Sequence, residues 1–242
     1  MLGLTQDSHW CWTVVGKHPA AADYINIDGG SPLMDALADW MAKGYDEINR
    51  TDRAGAGTYS WRFWLRGARK GGLVCGVVRD SSDRIGRPFP LLILGEGGLK
   101  KWEKQWELLP ADLIKVWQRM ESIAAHRYDD LNALADALRA LVPPNGPTLP
   151  GRGEAVAVAG EMPSGLDECR LQLRDNGRAM VHLRPSGDMD ALDSARQWHL
   201  LLKACCADVP RAVFWGGTPA RTYMAVFSNA LSTQDFVKLW TI

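Results

Sequence analysis

Alternating hydrophobic and polar positions predict strands in the first hundred residues. From His9 to Val15 and from Tyr59 to Leu65, large apolar side chains fall on every second position. The runs Leu73 to Val78 and Phe89 to Leu94 are more continuously apolar, as in strands that are buried on both faces. These segments predict strands, and the last three form a meander whose second connection is densely charged.

Between and after these strands, apolar residues recur at the spacing of a helix. Ser31-Pro32 has the form of an N-cap followed by proline at the first helical position. The apolar residues that follow it recur at intervals of three and four: Leu33, Leu37, Trp40, Met41, Gly44 and Ile48. The same spacing predicts further helices between Leu99 and Leu141.

The second half of the chain begins after a Pro- and Gly-rich break at residues 143–153. We predict a strand at 155–159 and a hairpin in which 168–173 and 179–183 flank Asp175-Asn176-Gly177. A helix from Leu192 to Cys205, two more strands and a last helix capped by Ser232 or Thr233 complete the pattern.

The order of elements predicts an α/β fold in which helices flank a mixed β-sheet. A chain of 242 residues with 46% hydrophobic residues is long enough for one compact domain. We expect a single domain over 1–242, with residues 143–153 as the boundary between two subdomains.

Composition narrows the classes of function. The formal net charge is zero, which argues against non-specific nucleic-acid binding because such binding requires a basic surface. No apolar run approaches the ~20 residues that cross a bilayer, and the first residues do not resemble a signal peptide. Five cysteines without a CxxC pair favour a reducing compartment. We therefore expect a cytoplasmic protein that has no membrane span and binds no nucleic acid.

The residues show no recognisable catalytic or ligand-binding pattern. There is no GxSxG elbow, the five histidines are dispersed, and the Gly-rich stretches lack the context of a phosphate-binding loop. We expect no enzymatic activity, no metal and no cofactor.

The connection from Arg79 to Leu92 is the exception, because it carries charges of both signs around one glycine. Two interpretations are open for it. Arg84 and Arg87 present planar guanidinium groups to an anionic group of a partner, with Asp83 orienting one of them. Alternatively, Asp83 caps the turn and an arginine reaches the C-terminal carbonyls of a neighbouring helix.

Three motifs resemble the TagF family, accessory proteins of bacterial type VI secretion. They are the segment from Gly16 to Tyr24, the triplet Trp61-Arg62-Phe63 and the stretch from Ser81 to Leu91. Two positions depart from the family pattern. Ala21-Ala22 stands where Arg-Gly is usual, and Pro88 stands where an aromatic residue is usual.

The resemblance implies a cytoplasmic, post-translational negative regulator of type VI secretion that binds an Fha-type forkhead-associated scaffold protein. Any PppA-type phosphatase, to which some relatives are fused, would be a separate protein. The positions that carry the motifs are the candidate partner-binding or signature residues: Lys17, Pro19, Asp23, Trp61, Arg62, Asp83, Arg84, Gly86 and Arg87. A nucleotide- or phosphate-binding α/β enzyme and a structural subunit of the apparatus are the alternatives.

Overall fold

A computed structural model describes residues 9–50, 58–144, 165–183, 190–206 and 208–242. Across these described residues, the centre of the fold is a sheet of eight strands in the order β2-β1-β5-β4-β3-β7-β8-β6. The strands are β1 (Cys11–Gly16), β2 (Ile25–Ile27), β3 (Ser60–Arg66), β4 (Gly72–Arg79), β5 (Leu91–Gly98), β6 (Arg178–Leu183), β7 (Ala212–Thr218) and β8 (Arg221–Phe227).

Six α-helices in the described residues cover the two faces of the sheet. They are α1 (Pro32–Arg50), α2 (Leu109–Ala125), α3 (Leu131–Arg139), α4 (Leu166–Asn176), α5 (Ala191–Cys205) and α6 (Thr233–Leu239). Two short 3-10 turns, Trp102–Lys104 and Trp106–Leu108, precede α2. None of the helices within the described ranges combines the length and the apolarity needed to cross a bilayer.

The alternation of side chains along the central strands divides the core into two layers. In β4, Leu73, Cys75 and Val77 face the layer covered by α2 to α5, whereas Val74 and Val78 face the layer covered by α1 and α6. This is the period of two that a strand buried on both faces requires. The expected α/β class, with helices flanking a sheet, is confirmed.

Three details differ from the expectations or lie outside the description. Every described strand pair is antiparallel, so the mixed pairing is not found. Residues 166–176 form α4 instead of the first arm of a hairpin, because Gly177 in the left-handed region (φ 65°) ends a helix there. The strand expected at 155–159, and residues 145–153 of the expected boundary, lie outside the described residues.

The sheet joins the two halves of the sequence. β3, which precedes the expected boundary, pairs with β7, which follows it, and Phe63 lies opposite Phe214. The helices do the same, since α1 packs against α6. The ends of β4 and β5 that lie beside Arg79 and Leu91 carry the loop whose charges stand out in the sequence.

Candidate functional site

Two of the three motifs meet in space. The loop between β4 and β5, residues 81–90, folds onto the segment that follows β1. The backbone N–H of Arg84 donates to the carbonyl of Ala21 (2.7 Å), and that of Lys17 donates to the carbonyl of Pro90 (3.4 Å). The first and third motifs therefore form one continuous structure, which we call the Asp83 loop with its supporting segment 17–23.

Asp83 is the centre of this structure. Its side chain is shielded from solvent and accepts backbone hydrogen bonds from Ile85 (3.1 Å) and Arg87 (2.9 Å). The same carboxylate accepts a bond from Nε of Arg87 (2.6 Å) and lies 3.2 Å from the ammonium of Lys17. Gly86 (φ 88°) provides the left-handed turn that brings these donors around it.

The electrostatics of Asp83 follow from these contacts. Burial favours the neutral acid, but the hydrogen bonds of Arg87 and the ammonium of Lys17 favour the carboxylate more strongly. The pKa of Asp83 is consequently lowered to about 2. The group is an anion throughout the neutral range and organises the loop by attracting donors.

Arg84 and Arg87 use their guanidinium groups on the supporting segment. Arg84 donates to the carbonyl of Ala20, and Arg87 donates to that of Ala22 (2.6 Å) and lies 3.5 Å from Asp23. The described contacts thus favour an internal network, although the acceptors are loop carbonyls and not the end of a helix. Both arginines also keep part of their surface exposed.

The outer side of the network is an exposed face, formed by Asp23, Tyr24, Ile85, Arg87 and Pro88, that we call the signature face. Ile85 is 67% exposed and Tyr24 is 45% exposed, so two of the five exposed large hydrophobic residues of the described chain lie on this face. A shallow groove of about 530 Å³ adjoins this face and is lined by residues 20–25, Arg84 and 130–132.

The remaining predicted positions lie away from that face. Trp61 is fully buried in the layer covered by α1 and α6. Arg62 points to the opposite layer, where its guanidinium binds Glu121 with two hydrogen bonds (2.7 and 2.8 Å) and lies 4.7 Å from the Trp215 ring centre. Pro19 is half-buried within the supporting segment. The triplet 61–63 therefore holds the layers together.

Sequence reasoning missed the part that His18 plays. Its side chain is fully buried, Nδ1 accepts a hydrogen bond from the N–H of Ala20 (3.1 Å), and its ring lies 5.8 Å from that of Tyr128. Burial lowers the pKa of His18, while the carbonyls of Ile123 and His126 oppose that shift. A neutral imidazole therefore shapes the turn whose carbonyls receive Arg84 and Arg87. No pattern in the sequence marks this residue.

A known protein family and a solved structure resemble this chain, and the family agrees with the three motifs. A family model described as the TagF N-terminal domain, type VI secretion system-associated, matches residues 13–142. No curated protein sequence matches the chain. Among solved structures, that of PA0076 from Pseudomonas aeruginosa PAO1 covers 95% of this chain and 94% of its own, with a TM-score of 0.56 and 18% identity. At that identity, the likeness concerns the fold.

Proposed function

The chain belongs to the TagF family of type VI secretion system-associated proteins, and from this premise we propose that it is a cytoplasmic negative regulator of that system. It acts after translation, by binding an Fha-type forkhead-associated scaffold protein and so blocking assembly or firing. A PppA-type phosphatase is a second proposed partner. Occlusion of the scaffold, without a catalytic step, is the mechanism.

The observation that carries the proposal is the convergence of two family-like motifs on one exposed surface. The first motif supplies Asp23 and Tyr24, and the third supplies Ile85, Arg87 and Pro88. The anionic Asp83 beneath fixes the loop through backbone and side-chain bonds. A surface that is held rigid before binding loses little conformational entropy when a partner covers it.

The exposed chemistry fits a protein partner. Ile85, which is 67% exposed, and Tyr24, which is 45% exposed, offer apolar area on the signature face. Asp23 and Arg87 supply charges at its rim. Protein interfaces combine an apolar centre with a polar rim in this way.

The two alternative functions, a phosphate-binding enzyme and a structural subunit, require different structural features and can be tested separately. A phosphate-binding enzyme needs guanidinium groups that can turn toward a ligand, yet those of Arg84 and Arg87 are each held by a backbone carbonyl. A thermal-shift measurement with nucleotides and phosphosugars discriminates, because a ligand that binds only the native state raises the melting temperature. A structural subunit would instead co-sediment with the assembled apparatus.

The decisive experiment is capture of the purified Fha-type scaffold by the immobilised protein. Ile85→Glu places a charge on the signature face without removing a described hydrogen bond, and we expect it to weaken capture at least about tenfold. The matched control is Leu171→Glu on α4, where the leucine is 49% exposed and α4 packs against the edge strand β6. Undiminished capture by folded Ile85→Glu would remove the signature face from the interface. No capture by the wild-type protein would contradict the proposed function itself.

A further inference from the structure

Positive charge is concentrated at the end of the sheet opposite the Asp83 loop. The turn between β3 and β4 and the segment after β5 meet there, since the N–H of Leu99 donates to the carbonyl of Gly71 (3.3 Å). The start of β7 lies beside them, because the N–H of Arg66 donates to the carbonyl of Arg211 (2.9 Å). Seven exposed cationic residues on these segments form what we call the basic end: Arg66, Arg69, Lys70, Lys100, Lys101, Lys104 and Arg211.

This charge is not neutralised locally. Within residues 66–71, 99–104 and 211, the single carboxylate is that of Glu103, and it accepts the backbone N–H of Gly71 (3.1 Å). None of the seven cations forms an ion pair with a carboxylate in the described part of the chain. A chain whose net charge is zero therefore carries a local surface of strongly positive potential.

The backbone of the basic end is fixed. Gly67 and Gly72 are joined by a hydrogen bond of 2.9 Å, and the turn is also tied to Leu99 and Glu103. Lys101 has a left-handed backbone (φ 62°) at the start of the first 3-10 turn, whose Trp102 is buried beneath it. The cations are thus presented on a rigid support, as a binding surface requires.

We propose that the basic end binds a short acidic segment of a partner protein. The cations lie across the neighbouring strands β5, β4, β3 and β7, which span about 14 Å at ~4.8 Å per strand. Four or five residues of an extended chain cover that distance at ~3.4 Å each. Several carboxylates on such a segment would each lie near a different cation.

The residues around the basic end argue against two other kinds of anionic partner, single-stranded nucleic acid and membranes. Single-stranded nucleic acid is usually held by exposed aromatic rings as well as by charge, but Trp102 and Trp106 beside the basic end are buried. Membrane binding usually adds apolar side chains that enter the lipid. The exposed large hydrophobic residues of the described chain are Tyr24, Ile85, Leu131, Val142 and Leu171, and none belongs to these segments.

The basic end is independent of the signature face. β4 and β5 run from one to the other, and eight residues of strand at ~3.3 Å per residue separate them by roughly 23 Å. A variant at one end therefore leaves the other intact, and this inference does not rest on the proposed function.

The test measures binding of a fluorescein-labelled deca-glutamate peptide by fluorescence anisotropy. The triple variant Arg69→Glu, Lys70→Glu and Lys100→Glu reverses three exposed charges and avoids the left-handed Lys101. The control, Lys43→Glu, Arg221→Glu and Lys238→Glu, makes the same change of net charge at exposed positions elsewhere. Melting temperatures check that both proteins fold.

We expect the wild type and the control to bind alike and the triple variant to bind at least about tenfold more weakly, with an affinity that falls as salt is added. Equal binding by the triple variant, or an equal loss in the control, would overturn the inference. So would tighter wild-type binding to oligo-dT of ten nucleotides or to phosphatidylserine vesicles than to the peptide, since the partner would then be of another class.

Discussion

The ammonium group of Lys17 lies 3.2 Å from the carboxylate of Asp83, and the two residues belong to different motifs of the sequence. The contact joins the supporting segment, which follows β1, to the loop between β4 and β5. Because Asp83 also binds two backbone N–H groups and Arg87, one shielded carboxylate sets the shape of the whole face. Structure and proposed binding are therefore coupled through a residue that the partner itself does not touch.

Removing the charge of Asp83 should release the loop. In Asp83→Asn the donors of Lys17 and Arg87 lose their anion, so we expect a melting temperature several degrees lower and faster tryptic cleavage after Arg84. Arg87 precedes proline and is a poor site for trypsin. Asp23→Asn is the control, since Asp23 is exposed and lies 3.5 Å from Arg87. Equal cleavage of wild type and Asp83→Asn under native conditions would show that the carboxylate does not hold the loop.

The stability of the protein should fall in mild acid because of His199. This side chain is fully buried between Trp64 and Ala195, with Nδ1–H donating to the Ala195 carbonyl (2.7 Å) and Nε2 accepting from the Trp64 indole (3.1 Å). The bond from Trp64 requires the neutral ring, because a protonated Nε2 cannot accept it. Burial lowers the pKa of His199 from 6.5 to about 4, although the bond to the Ala195 carbonyl opposes that shift.

The sign of that effect follows from proton binding. Between pH 6.5 and 4 the unfolded chain takes up the proton and the native protein does not, so the free energy of unfolding falls as the pH falls. The contribution is fully present above pH 6.5, and its loss by pH 4 amounts to about 3 kcal/mol. Urea unfolding followed by tryptophan fluorescence measures it. His199→Gln should have a shallower pH dependence, with His18 supplying a remaining part; an unchanged slope would contradict the assignment.

The pair Arg62–Glu121 should show a measurable coupling between the sheet and α2. Its two hydrogen bonds are parallel, and the guanidinium also lies over Trp215. Because both side chains are partly exposed, a double-mutant cycle with Arg62→Ala and Glu121→Ala should give a coupling of about 1 kcal/mol. Arg62→Lys should lose most of it, since an ammonium makes neither the paired bonds nor the ring contact equally well. A coupling near zero would reduce the contact to a surface ion pair.

Gly44→Ala should destabilise the protein although alanine favours helices. A β-carbon at Gly44 of α1 would lie 2.5 Å from Cγ of Phe236 on α6. The overpacking, which costs ~1–3 kcal/mol, should exceed the helix-propensity gain of ~1 kcal/mol. Combining Gly44→Ala with Phe236→Leu should recover part of the loss in thermal unfolding. A rise in melting temperature for the single change would mean that the two helices separate easily.

Local patterns in the sequence were sufficient for most individual elements. The alternation in β3 and the 3.6-residue spacing in α1 and α5 are properties of short segments, and the structure has strands and helices at those places. Ser232 was one of two predicted caps, and it forms the capping box of α6 with Asp235. Such features depend on neighbours within one or two turns, so the sequence contains the information they need.

The failure at residues 166–176 shows where local patterns become ambiguous. Asp175-Asn176-Gly177 suits a hairpin turn, but a glycine in the left-handed region also ends a helix. The hairpin turn predicts a strand at 168–173. In the structure Cys169 is buried and Leu171 is half-exposed, because α4 places only one side against β6. Packing decided between two conformations that the local sequence allowed.

The sequence by itself determined most of the elements, the α/β class and the motifs that identify the family. Only the tertiary structure decided that Asp83 points inward and that the Arg84 and Arg87 guanidinium groups bind the carbonyls of Ala20 and Ala22. Only the tertiary structure revealed the basic end, because the cations of that surface come from three separate segments. In the sequence their charge is balanced by acidic residues elsewhere, so the net charge is zero. The physical reason is the same in each case. Electrostatic contacts depend on distances in space, and those are set by strand pairing between residues that are far apart in the chain.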